Sequence, residues 1–231
     1  MAARYSRPDS VIRASLRGAP VTGAIAAICV AVFAIMALQA RSLTDVAWAS
    51  PLGEAMILWG PLVEGLGYLR PLTAGFMHLD ITHLFLNMMM LIFVGAEVER
   101  YVGSGPYAVA YLASVLGSSA AVLAFNFTVP TAGASGALYA LMAMLVAIAL
   151  RRSVDLRAPI ALILVNIAYT LMAANVSFWG HAGGLVFGAL MGWFLTSASV
   201  KVRWAGALAG LVLGAVAVWV LTIPSTTMYG L

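Results

Sequence analysis

The sequence predicts an all-α polytopic membrane protein, on three observations. Of 231 residues, 63% are hydrophobic and 9% charged, with a mean hydropathy of +1.02, a balance that a water-soluble surface does not tolerate. Apolar runs of near membrane-crossing length, separated by charges or helix breakers, fall at 21–39, 81–96, 106–126, 135–150, 158–174, 181–198 and 204–222. The basic residues are distributed unevenly about these seven runs. Arg4, Arg7, Arg13 and Arg17 precede the first, and with alternating spans Arg100, Arg151, Arg152, Arg157, Lys201 and Arg203 fall on the same side, leaving only Arg41 and Arg70 outside. The positive-inside rule then puts the N-terminus in the cytoplasm of a multi-pass protein of the cell membrane.

Residues 1–20 read as a short cytoplasmic arm, 21–198 as a six-helix core with an interfacial loop at 40–79, and 204–222 as a seventh helix. Helix 1 is read as retained, because Ala37-Leu38-Gln39-Ala40 lacks the spacing of a signal-peptide cleavage site. The net charge of +4 is assigned to topology and contact with anionic lipid. With no basic cluster set in a soluble motif, nucleic acid is not an expected partner. A single cysteine, Cys29, excludes an intramolecular disulfide and argues against a cysteine-based metal site.

Loop 40–79 is too apolar for a free linker and is broken by Pro51, Gly53, Gly60, Pro61, Gly65, Gly67 and Pro71. Short amphipathic helices in the outer interface are expected there, with Trp48 and Trp59 at the level of an aromatic belt. Asp80 is placed to cap helix 2, and His83 and Asn87, four apart, share one face of it. His78 precedes that helix and reads as a satisfied interfacial histidine. The turn Glu97-Val98-Glu99-Arg100 reads as solvated or paired. In helix 3, Gly117, Ser118 and Ser119 read as packing residues, and in helix 5, Asn166 and Tyr169 as interhelical hydrogen-bond partners. Helix 7 carries Gly206, Gly210 and Gly214 at a spacing that needs only close packing.

Helices 2, 4 and 6 run from outside to inside, each with its polar residue near the outer end: His83, Ser135 and His181. From Gly136 to the Arg151 stop helix 4 is about 22 Å long at ~1.5 Å per residue, against a core of about 30 Å. The same sum gives about 21 Å from His83 to Ala96 and about 25 Å from His181 to Ser197. With inner ends flush, all three groups lie about 5–9 Å below the outer boundary. Polar groups at such depth face a bundle interior or a watery cavity and are functional candidates.

A serine hydroxyl becomes nucleophilic when an adjacent base takes its proton, and imidazole suits that role near neutral pH. Asp80 is committed to capping, and helices 4 to 6 carry no acid toward the outside, so a Ser135–His181 dyad fits better than a triad. The start of helix 4 offers backbone N–H groups to a developing oxyanion, with Asn87 and His83 as side-chain donors. Gly133-Ala134-Ser135-Gly136 is not the G-x-S-x-G elbow, because residue 137 is Ala and no strand precedes it.

Together these residues resemble the rhomboid family of intramembrane serine proteases over nearly the whole chain. Gly133-Ala134-Ser135-Gly136 is similar to its GxSG motif, and His181 with Gly184 and Gly188 to its helix 6 pattern. His78, His83 and Asn87 match its HxxxxHxxxN spacing, and Glu99-Arg100 its acidic-basic turn. The resemblance implies Ser135 as nucleophile, His181 as base, His83 and Asn87 in the oxyanion hole, and Tyr139 packed on the catalytic histidine. Gly184 is expected on the face of helix 6 that meets helix 4. A six-helix rhomboid-like bundle plus one C-terminal helix is implied, cleaving transmembrane protein substrates within the lipid bilayer without metal or cofactor. The chain departs from the family at Leu69-Arg70, where Trp-Arg is usual. A non-catalytic client-binding rhomboid-like protein is the alternative. A proton-relay transporter fits less well, since its polar groups would spread through the membrane depth.

Overall fold

The computed structural model describes residue 12 and residues 15–173 and 176–223; Arg4, Arg7, Arg13 and most of the N-terminal arm lie outside them. Seven apolar helices dominate: α1 (Pro20–Ala40), α2 (Ile81–Val102), α3 (Ser104–Phe125), α4 (Ser135–Arg151), α5 (Arg157–Met172), α6 (Phe178–Leu195) and α7 (Val200–Thr222). Five are long and apolar enough to cross a membrane, whereas α4 and α5 are shorter. Among the described residues the sole β pairing is an isolated bridge between Leu58 and Thr131. Large apolar side chains such as Leu164, Val165, Leu190, Trp193, Val212 and Trp219 stand exposed around the outside, the surface a bilayer solvates.

Helix α4 lies at the centre, apolar on nearly every face, as a helix enclosed by others must be. Its closest neighbour is α6, and the reason is the absence of side chains. A Cβ on Gly184 would strike the carbonyl of Gly136, and one on Gly188 would strike the backbone of Ala140. Two helices that meet backbone to backbone gain dispersion contacts that bulkier residues would prevent. Helix α3 closes the other side of this pair. Gly117 leaves room for the ring of Phe187, and the Ser118 hydroxyl donates to the Gly180 carbonyl at 2.8 Å. Ser118 and Ser119 therefore do more than pack: Ser119 donates to the Pro71 carbonyl at 2.6 Å, tying loop 40–79 to α3.

The turn after α2 differs from its reading as solvated charge. Helix α2 continues to Val102 through a π-helical stretch, Leu91–Gly95, so the length sum taken from Ala96 is too short; from His83 to Val102 the helix measures about 30 Å. It continues because Glu99 is 1% exposed and finds its partners inside the protein. Its carboxylate accepts from Val21 N–H, Thr22 N–H, the Thr22 hydroxyl and the Ser104 hydroxyl at 2.6–3.0 Å. Glu99 thus caps α1, which has no side-chain cap of its own. Removing one of the hydroxyls that donate to Glu99 should cost about 1.5–3 kcal/mol.

Loop 40–79 is less interfacial than its composition suggests. Val46, Ala47, Met56, Ile57, Leu58, Val63 and Met77 are buried against the bundle, while Trp48 is exposed. Short helical turns at Pro51–Met56, Gly60–Leu62, Gly65–Leu69, Arg70–Thr73 and Ala74–Phe76 carry it. Arg70 pins them, donating to the carbonyls of Glu54 and Ile57 at 2.7 and 2.8 Å, whereas Leu69 points outward, 59% exposed. Trp59 donates to the Thr128 carbonyl at 3.0 Å. On the opposite side α7 packs its glycines against α3 and α6. Its Arg203 donates to the carbonyls of Tyr101 and Val102, capping the end of α2.

Candidate active site

Ser135 is the first residue of α4, and its position follows from the turn before it. Gly133 has φ +125°, open to glycine but strained for other residues. A Cβ there would lie 2.8 Å from His83 Nε2 and 3.7 Å from Ser135 Oγ. The missing side chain therefore leaves the His83 ring and the serine hydroxyl facing the same space. Helices α2 and α6 are capped by Asp80 and Ser177, whose side chains accept from His83 N–H at 2.8 Å and Gly180 N–H. Helix α4 follows Ala134, which has no side-chain cap to offer. Its first-turn N–H groups stay available beside Ser135, with the positive end of the helix dipole.

Across this turn, His181 Nε2 lies 2.7 Å from Ser135 Oγ. The imidazole stacks on Tyr139, ring centroids 4.2 Å apart and planes 18° from parallel. Its Nδ1 lies 2.8 Å from Thr170 Oγ1, a side chain that the sequence reading did not single out. Thr170 is the single buried residue of α5 and also lies 2.6 Å from the Tyr139 hydroxyl. The two α5 residues read as interhelical partners behave otherwise. Asn166 Nδ2 donates to Leu162 O one turn back in its own helix, and Tyr169 stands 55% exposed. A polar residue in a spanning helix can satisfy itself through the carbonyl four residues earlier, so polarity alone did not identify the crossing contact. A signal was present: α5 runs antiparallel to α4 and α6 in the predicted alternation of spans, so a hydroxyl near its C-terminal end falls at the level of Ser135.

On the α2 side, Asn87 Nδ2 donates to His83 O at 2.8 Å, and its buried Oδ1 has no partner. Turning the amide over would set two oxygens against each other, so Nδ2 faces the carbonyl and keeps a second proton. His78 is fully buried, both ring nitrogens lack partners, and its ring meets His83 edge-on at 5.1 Å. This contradicts its reading as a satisfied interfacial histidine. Burial, reinforced by His83 beside it, pushes its pKa down to about 3, so it is neutral at physiological pH. Behind Gly133 a cavity of about 20 Å³, lined by Ser118, Ser119, Thr131 and Ala137 among others, has room for one water.

The chain is similar to known proteins. The Rhomboid domain family matches residues 66–198, the stretch from within loop 40–79 to just past the end of α6. The chain is 37% identical to the rhomboid protease GluP of Bacillus subtilis over 124 residues, 52% of this chain and 24% of that one. It is 24% identical to the rhomboid protease GlpG of Yersinia enterocolitica over 191 residues, covering 79% of this chain and 65% of the relative. It is also 39% identical over 93 residues to an Arabidopsis thaliana protein named inactive RHOMBOID-like protein 8, covering 39% and 26%. The matches span less than half the length of the first curated relatives. With the family domain covering more than half of its residues, the chain belongs to the rhomboid family.

Proposed function

We propose that this chain is an intramembrane serine endopeptidase that cleaves transmembrane segments of other membrane proteins, with Ser135 as nucleophile and His181 as its base. The observation that carries this reading is the 2.7 Å approach of Ser135 Oγ to His181 Nε2 within a bundle of apolar helices. Family membership and relatives named as proteases support it. In the same reading the N-terminus is cytoplasmic and the site opens toward the outer leaflet of the cell membrane.

The proposed chemistry is acyl transfer through Ser135. Nε2 takes the Ser135 proton as Oγ attacks a peptide carbonyl, and the negative charge that develops on the carbonyl oxygen is met by fixed donors: the uncapped N–H groups of α4, the second Nδ2 proton of Asn87 and a ring N–H of His83. The imidazolium then passes its proton to the departing amine, leaving an acyl-serine. Water, deprotonated by the same nitrogen, releases the acid and restores Ser135.

The alternative is a rhomboid that binds clients without cutting them, and a relative named inactive keeps that reading in view. Purified protein and a fluorogenic transmembrane peptide in proteoliposomes decide between them. Wild type should cleave, and folded Ser135→Ala and His181→Ala should not. Client binding without cleavage by wild type would favour the alternative.

A further inference from the structure

The polar atoms around His181 form a chain whose protons can be assigned by counting. Thr170 Oγ1 lies within hydrogen-bond distance of three groups: the Asn166 carbonyl at 2.9 Å, the Tyr139 hydroxyl at 2.6 Å and His181 Nδ1 at 2.8 Å. A threonine hydroxyl has one proton and two lone pairs. The Asn166 carbonyl can only accept, so the Thr170 proton belongs there. Both remaining partners must then donate to Thr170, one through the Tyr139 O–H and the other through an N–H at His181 Nδ1. In a neutral imidazole with its proton on Nδ1, Nε2 is a bare acceptor, and Nε2 is the atom 2.7 Å from Ser135 Oγ.

Other assignments fail on the same distances. If Thr170 donated to Nδ1, the threonine and Asn166 oxygens would stand 2.9 Å apart with no proton between them, and Nε2 would carry a hydrogen pointed at the serine. If Thr170 donated to Tyr139, the tyrosine proton would have no acceptor among the described residues. Stacking on Tyr139 fixes the plane of the imidazole but leaves it free to turn within that plane. The bond to Thr170 removes that freedom and selects the tautomer, the task a buried carboxylate performs in a triad.

We infer that Thr170 is the positioning residue of the base: its hydroxyl holds His181 in the Nδ1–H tautomer and stabilises the imidazolium formed when Nε2 takes the serine proton. The inference rests on the proposed Ser135–His181 chemistry, and two variants with one spectrum separate its failure from that of the chemistry. Thr170→Val keeps the shape and removes the hydroxyl; Thr170→Ser keeps the hydroxyl. Thr170→Val should lower kcat about 10- to 100-fold with KM within about twofold, and Thr170→Ser should restore most of the rate. The chain has three histidines, so 15N-histidine NMR in detergent micelles, with His181 assigned from His181→Gln, reports the ring nitrogens without reference to activity. Wild type should show the His181 proton on Nδ1, and Thr170→Val should show Nε2–H appearing. A wild-type His181 protonated on Nε2, or a Thr170→Val enzyme with full kcat, overturns the inference. Wild type that fails to cleave overturns the proteolytic reading while the spectrum still tests the tautomer. If Thr170→Val does not fold, the wild-type spectrum and the Thr170→Ser rate decide.

Discussion

The two sides of Ser135 are built in opposite ways. On the α6 side an unbroken series of hydrogen-bond contacts runs from Ser135 through both nitrogens of His181 to Thr170, and from Thr170 to the Tyr139 hydroxyl and the Asn166 carbonyl, and the helices beneath meet backbone on backbone at Gly184 and Gly188. On the α2 side Asn87 Oδ1 and both nitrogens of His78 are buried without partners, and the α4 terminus is uncapped. A buried polar group without a partner costs about 1–3 kcal/mol, so the second side is held at the expense of stability. One side is closed by hydrogen bonds; the other leaves the first N–H groups of α4 without a side-chain cap, the donors that the proposed chemistry would use.

Damage to the closed side should have the largest effect. Gly184→Val inserts a side chain against the Gly136 carbonyl and pushes His181 away from Ser135. Displacement of about 1 Å costs on the order of 100-fold in rate, so turnover should fall at least about that much, while binding of an uncleavable peptide changes little. Full turnover in this variant would show that the seam does not set the dyad distance.

Damage to the open side should be milder, because its donors share one task. Removing a single donor from an oxyanion hole costs about 100- to 1000-fold where few others exist. Here His83 and the α4 N–H groups remain, so Asn87→Ala should lower kcat by about tenfold. A rate within twofold of wild type on several substrates would make Asn87 structural. The smallest effect is expected from Gly214→Val on α7. Its Cβ would lie 3.0 Å from Leu116 Cβ and 3.4 Å from the Ala113 carbonyl, a strain far from Ser135 that should leave turnover within about threefold. A loss as large as that of Gly184→Val would mean that the α3–α7 contact also sets the dyad.

Local chemistry explains which of these features were legible in the sequence. Seven apolar runs gave seven helices, Asp80 accepts the His83 N–H as a short carboxylate before an apolar run should, and the Gly184 spacing correctly put it against α4. The first two depend on neighbours a few residues away, and Gly184 was placed by lying three residues after His181 on one helix face. Glu99 depends on Val21 and Thr22, far off in the chain, so its turn reads as solvated until α1 is docked beside it. Thr170 escaped for the same reason: its partners come from α4 and α6, and in sequence it is one more hydroxyl in an apolar helix. Asn166 and Tyr169 looked the stronger candidates by polarity, yet one satisfies itself and the other faces outward.

The central claim, that His181 makes Ser135 nucleophilic, is tested most directly by a serine-directed fluorophosphonate applied to the detergent-solubilised protein, with the modified residue located by mass spectrometry. Wild type should be modified at Ser135, with labelling absent in Ser135→Ala and strongly reduced in both His181→Ala and Gly184→Val. Equal labelling of folded Ser135→Ala, or modification of wild type at a different serine, would contradict it.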